Sequence, residues 1–127
     1  MANHPNPRFA LREFLGMELA AESDGVVARV EIGPAHMNPN QVVHGAVIFA
    51  LIDTAMGGAT MTALDDGLNC ATVDIDVRFI RPASAGHLHA VARVVKAGRS
   101  IVHLDARVTG DEDRLIATAV GTFAVVG

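Results

Sequence analysis

The run Gly45-Ala46-Val47-Ile48-Phe49-Ala50-Leu51-Ile52-Asp53-Thr54-Ala55-Met56-Gly57-Gly58-Ala59-Thr60-Met61-Thr62-Ala63-Leu64 directly follows His44 and carries one ionisable side chain, Asp53. Everything else in it is apolar, small or a hydroxyl, so the run predicts one long helix that is greasy on every side. A carboxylate on such a helix must be paired, hydrogen-bonded or kept for chemistry, because an uncompensated buried charge costs several kcal/mol. By length the run would suit a bilayer, for which about twenty apolar residues suffice. Energetics reject that reading. An Asp at mid-span costs roughly 2.5–3.5 kcal/mol, and Thr54, Thr60, Thr62, Gly57 and Gly58 dilute the hydrophobicity further. The expectation is a helix wrapped by protein, with Gly57-Gly58 allowing close packing. No strand and glycine-rich loop precede that pair to make it a phosphate cradle.

Outward from the helix the hydrophobic period changes to two. After the turn signal Asp24-Gly25, Val26, Ala28, Val30 and Ile32 alternate with Val27, Arg29 and Glu31, which predicts a half-buried strand. Gly33, Pro34, Asn38, Pro39 and Asn40 then break regular structure up to His44, and Asp65-Asp66-Gly67 ends the helix. Beyond it Ala71, Val73, Ile75, Val77 and Phe79 alternate with Thr72, Asp74, Asp76 and Arg78, a long two-faced strand that Pro82 stops. Residues 87–96, 100–109 and 115–126 read as three more strands, turned by Gly98 and by residues 110–113, with Val102, Leu104, Ala106 and Val108 sharing a face. Residues 7–15 predict a short leading helix whose apolar contacts are Phe9, Leu11, Phe14 and Leu15. Short turns between strands imply antiparallel pairing. A helix apolar all round is buried in one layer only if the sheet curls round it and something covers the remaining face. The fold class is therefore α+β, a curved antiparallel sheet around a long central helix, closed by a second subunit.

The 127 residues fit a single domain, 1–127. With 50% hydrophobic and 19% charged residues the chain is not disordered, and it has no internal repeats. A net charge of −4 with Lys96 as the sole lysine leaves no basic stripe, so no nucleic-acid partner and no membrane partner is expected. Cys70 stands alone, which rules out an internal disulfide and a cysteine-rich zinc site and fits a reducing cytoplasm. The first fourteen residues show no continuous apolar core of the secretory type, and cytoplasm is the expected location. Ser23, Ser84 and Ser100 do not stand in a Gly-x-Ser-x-Gly elbow. Cys70 lacks an activating neighbour and reads as a small buried residue. His87 and His89 share a strand face, but two ligands fall short of the three or four that zinc sites use, and no metal is expected.

Asn38-Pro39-Asn40-Gln41-Val42-Val43-His44-Gly45-Ala46, with Asp53 nine residues after His44, resembles the signature of hotdog-fold acyl-CoA thioesterases, in particular the PaaI-like branch related to phenylacetate degradation. Thr72-Val73-Asp74-Ile75-Asp76-Val77-Arg78-Phe79-Ile80-Arg81-Pro82-Ala83, Gly86, Gly98-Arg99 and Ala119-Val120-Gly121-Thr122-Phe123 are similar to the family's later strands, so the likeness runs from about Phe14 onward. The family pattern has Gly where this chain has Gln41 and again where it has Ala46. Gln41 bears on loop conformation, since Gly reaches positive φ freely and Gln does not. The resemblance implies hydrolysis of an acyl-CoA or aryl-CoA thioester without cofactor. It also implies catalytic positions at Asp53 and Gly45, polar positions around the thioester at Asn38 and His44, a hydroxyl near the carboxylate at Thr72, and a homodimer or homotetramer.

Physical chemistry supports the two main assignments independently. The first N–H groups of a helix lack intrahelical partners and lie at its positive end, and Gly45 has no side chain to obstruct a developing oxyanion. Asp53 then serves as general base toward water or as nucleophile. Nine residues at 1.5 Å put Asp53 roughly 13 Å along the axis from His44, too far to serve a carbonyl at its own helix start. A two-fold dimer with antiparallel helices brings one subunit's Asp53 to the other's Gly45. Structural alternatives stand beside these roles: Asn38 as a turn former, His44 as a helix-start hydrogen-bonding residue, Thr72 as ordinary strand sequence and Asp53 as a buried structural carboxylate. Arg78, Arg81, Lys96 and Arg99 are the candidates for the coenzyme A phosphates, or solvated surface charges. Two rival functions remain: a non-catalytic acyl-CoA-binding module, and a hotdog dehydratase or hydratase, for which no matching motif is visible.

Overall fold

The computed structural model describes residues 8–127. Helix α1 (Ala10–Leu15) leads into strands β1 (Glu18–Glu22) and β2 (Gly25–Glu31), a 3-10 turn at Pro34–His36, and the long helix α2 (Gly45–Thr62). Then come β3 (Asn69–Phe79), β4 (His87–Ala97), β5 (Ile101–Thr109), a second 3-10 turn at Asp111–Asp113, and β6 (Leu115–Val126). The strands form one six-stranded sheet in the order β1-β2-β4-β5-β6-β3, antiparallel throughout. α2 packs against β2, β3, β4, β5 and β6, so the sheet curls around it as the all-apolar helix demands. The core lies between them: Leu51, Ile52, Ala55 and Met56 of α2 are fully enclosed with Val30, Leu88, Ala90, Val102 and Val108 of the sheet. Gly121 makes this contact possible, because a Cβ there would fall 2.5 Å from the Met56 sulfur. This is the curved-sheet α+β hotdog architecture.

Four details depart from the sequence reading. The leading helix begins at Ala10, and Pro7 lies outside the described residues. Of its expected contacts only Leu15 is buried, while Leu11 and Phe14 are exposed; six residues present too short a stripe for all four to reach one surface. β1 was not foreseen, because Glu18-Leu19-Ala20-Ala21-Glu22 has a helix-favouring composition and buries Leu19 alone. It forms because β2 offers an open edge to pair with. Finally, β3 does not alternate along its whole length. Its register on β6 runs Thr72 to Phe123 and then Asp74 to Thr122, which leaves Val73 as a bulge. Before the bulge Cys70 and Thr72 point toward α2, and after it Ile75, Val77 and Phe79 do.

Candidate active site

The loop before α2 is a tightly bonded unit built by its own small polar residues. Asn38 Oδ1 accepts from the Asn40 N–H at 2.8 Å and the Val42 N–H at 3.3 Å, and the Gln41 N–H donates to the Asn38 carbonyl at 3.0 Å. Asn38 therefore shapes the turn, as its structural reading had it. Gln41 adopts φ 64, the left-handed conformation that a glycine would take freely. Met37 bridges to Val43, and the Val43 N–H donates to the Ala83 carbonyl at 2.8 Å, so the loop is stitched to the segment after β3.

His44 is the helix cap. Its Nδ1 accepts from the Ala46 N–H at 2.9 Å and its carbonyl from the Val47 N–H at 2.9 Å. Two of the first three helical amides are thereby engaged, and the Gly45 N–H is left as the donor at the positive end of α2. It opens on a cleft of about 310 Å³ lined by Val42, Ile48, Phe79, Ile80, Arg81 and Pro82 among others. The Phe79 ring lies 3.3 Å from where a Cβ on Gly45 would be. An apolar cleft with a helix-start glycine in its wall suits an acyl carbonyl.

Asp53 sits half-buried at mid-helix and accepts from the Thr72 hydroxyl at 2.7 Å. The bulge at Val73 turns Thr72 inward; unbroken alternation would put it on the face opposite Ile75. Two residues earlier Cys70 places its sulfur near the Gly57 carbonyl. Burial, and secondarily the Asp53 charge, push its thiol pKa up, the wrong direction for a nucleophile. The helix face that carries Asp53 also carries Ala46, Phe49, Ala50 and Gly57, none of them buried, and it is the face left open by the sheet. β3 beside it is an edge strand with one side unpaired.

Asp53 and Thr72 thus meet, as do His44 and Gly45, but the two groups occupy different stretches of α2. Of the basic candidates Arg81 lines the Gly45 cleft and donates to the Leu115 carbonyl at 3.3 Å. Arg78 lies on the outer face of the sheet with Asp76, Arg93, Asp105 and Arg107. Lys96 and Arg99 are at the far end of the strands, where β3 begins. His87 pairs with Asp111, its Nδ1 3.7 Å from the carboxylate. Among the described residues no three His, Cys, Asp or Glu side chains are grouped to share a metal ion. Sequence reasoning missed Phe79 and Ile48 as cleft walls. The signal available was only their apolarity, which a core position explains equally well.

The sequence pattern of the Thioesterase superfamily matches residues 40–117, and the chain belongs to that family. Solved structures agree. A thioesterase from Haemophilus influenzae superposes with a TM-score of 0.89 at 27% identity, over 93% of this chain and 83% of that one. A Bacillus halodurans protein solved with CoA gives 0.88 at 30%, over 95% and 82%. A phenylacetic acid degradation-related protein from Ralstonia eutropha gives 0.84 at 28%, over 93% and 91%. The chain is thus a hotdog protein of a thioester-hydrolysing family.

Proposed function

We propose that this protein hydrolyses acyl-CoA or aryl-CoA thioesters at a site shared across a homodimer, with the Gly45 N–H as oxyanion donor and Asp53 of the partner subunit as the reacting carboxylate. The observation that carries the reading is the placement of Asp53, bonded to Thr72, on the open face of α2 beside the unpaired edge of β3. An exposed edge strand is a template for a second chain. Antiparallel pairing of two β3 strands about a two-fold at Asp76, counted with Val73 as the bulged residue, sets Thr72 of one opposite Phe79 of the other. Since Thr72 holds Asp53 and Phe79 covers Gly45, the same operation joins the two half-sites. The CoA bound to the Bacillus halodurans neighbour supports a CoA-type substrate.

In this reading the thioester carbonyl enters the cleft and points its oxygen at the Gly45 amide. Thr72 occupies one carboxylate oxygen of Asp53 and leaves the other for the reaction. That oxygen takes a proton from the water attacking the carbonyl carbon, or attacks the carbon itself to give an anhydride that water then opens. On either route the C–S bond breaks, the thiolate leaves as coenzyme A after protonation, and the free acid is released. Both routes need an ionised Asp53. His44 caps the helix and Asn38 holds the loop, so these two act through Gly45. The two-fold also carries Lys96 and Arg99 of the partner subunit toward the Arg81 end of the cleft, where the phosphates of coenzyme A would lie.

A homotetramer, as a dimer of dimers, is supported by the outer sheet face. Strand register aligns Asp76, Val120 and Asp105 in one row and Arg78, Thr118 and Arg107 in the next. A second copy related by a two-fold across the strands sets each Arg against an Asp. Sedimentation of Asp105→Arg should give half the wild-type mass, and Asp105→Arg with Arg107→Asp should restore it.

Complementation tests the shared site. Gly45→Pro and Asp53→Asn are each expected to be inactive. Unfolded and refolded together, they form mixed dimers with one intact site, and about a quarter of wild-type activity should return. No recovery in mixtures verified as mixed dimers would contradict the shared site.

A further inference from the structure

α2 is preceded by a buried histidine that the reaction just described does not use. His36 is 5% exposed, and apart from Arg12 and Thr60 it is the one polar or charged residue among the described residues to be so enclosed. Its ring bonds in two directions. Nδ1 accepts from the Gly33 N–H at 3.0 Å, and Nε2 meets the Leu15 carbonyl at 2.8 Å. A backbone N–H only donates and a carbonyl only accepts, so the partners place the ring proton on Nε2. Leu15 is twenty-one residues away, at the end of α1, where the Arg12 Nε also reaches the Met17 carbonyl at 3.1 Å. Two buried side chains thus fix two carbonyls of the α1–β1 corner. Leaving either carbonyl without a partner would cost about 1–3 kcal/mol.

The main chain of His36 points the other way. Its carbonyl accepts from the His44 N–H at 2.8 Å, and His44 is the residue whose peptide group carries the Gly45 N–H. Peptide planarity means that the aim of that N–H is set by the orientation of the His44–Gly45 plane. That plane is held by the Val47 N–H on the His44 carbonyl, which belongs to α2 itself. The His36 carbonyl holds the preceding plane, Val43–His44, through the His44 N–H, so the planes on both sides of the His44 Cα are anchored and its φ and ψ are fixed between them. The ring of His36 anchors the residue to the α1 corner, and its carbonyl anchors His44.

We infer that His36 is a positioning residue for the Gly45 amide, clamping the α1–β1 corner to the start of α2 so that the oxyanion donor keeps its aim. This inference rests on the reading of Gly45 as that donor. A misplacement near 1 Å at a reacting group lowers turnover by about 100-fold, so a clamp of this kind acts on kcat rather than on affinity.

Two variants separate the clamp from a merely stabilising contact. In His36→Asn the side-chain oxygen reaches Gly33 but nothing reaches Leu15. In His36→Gln the longer amide can donate to Leu15. In folded preparations of matched mass, His36→Asn should lower kcat about ten-fold or more with KM little changed, and His36→Gln should retain most of kcat. The Gly45 cross-peak in a ¹H–¹⁵N spectrum should move in His36→Asn and stay near its wild-type position in His36→Gln. A lower Tm for His36→Asn with unchanged kcat would overturn the proposal, as would a raised KM at unchanged kcat. The spectrum decides even if wild type proves inactive: an unmoved Gly45 peak in His36→Asn sinks the clamp, while a moved peak with Gly45→Pro fully active sinks only the oxyanion reading.

Discussion

Replacing Gly45 by Pro removes its N–H and adds the same Cβ contact with the Phe79 ring that Ala would make. Pro is favoured at the first helical position, and His44 already has φ −63 and ψ 137, the extended conformation that a residue before Pro adopts. Gly45→Ala keeps the N–H and only nudges the exposed Phe79 ring. Gly45→Pro is therefore expected to lose about 100-fold or more in kcat with its fold intact, Gly45→Ala far less; equal losses in both would mean that the amide is not the donor. Gln41 supplies a second test at this scale. Holding a non-glycine side chain at φ 64 costs about 1 kcal/mol, partly offset because Gly loses more entropy on folding. Gln41→Gly should be neutral to mildly stabilising in urea unfolding, and Gln41→Val destabilising by about 1–2 kcal/mol. A loss on Gln41→Gly would mean that the Gln side chain itself holds the loop. Asp53 and Gly45 stand out in the chain as candidates, because an isolated charge and a bare helix start are rare against an apolar background. His36 was not. Its importance comes from two partners distant in sequence, Leu15 and the His44 N–H, which no local pattern announces.

At the scale of elements, β3 carries most of the consequence. Period-two reading put Thr72 and Ile75 on opposite faces, and the bulge at Val73 brings both toward α2. Bulges insert one residue without a compositional signature, which is why alternation missed this one while finding the strand. Deleting Val73 restores simple alternation and turns Cys70 and Thr72 away from the helix. The sheet should persist by circular dichroism while kcat falls about ten-fold or more, since Asp53 loses the hydroxyl that orients it. Activity within two-fold of wild type would show that the Thr72 bond to Asp53 is dispensable. β1 marks the opposite limit of sequence reading. Its residues favour a helix, and the unsatisfied edge of β2 overrides them.

For the whole molecule, a helix apolar on nearly every side accounts for the curled sheet around α2 and leaves one helix face uncovered by it. The sheet covers Leu51, Ile52 and Met56, and leaves the Ala46, Ala50, Asp53 and Gly57 side open. Proton linkage adds a global prediction. Burial first, then the Arg29 and His87 charges, depress the pKa of His89 from its ordinary value near 6.5. Below that value the unfolded chain binds more protons at this site than the folded one, so the stability present at neutral pH declines as pH falls through the depressed folded value. His89→Gln should flatten this acid limb of Tm against pH; an unchanged limb would assign it to other groups.

Asp53 is proposed as the carboxylate on which thioester hydrolysis depends. That role is tested most directly by thiol release from a panel of aliphatic and aromatic CoA esters, comparing wild type with Asp53→Asn at matched, verified oligomeric mass. Turnover by wild type and a fall of about 100-fold or more in the near-isosteric variant is the predicted result. Equal turnover by the two proteins would contradict it, and CoA-ester binding by both without turnover by either would make the protein a binding module.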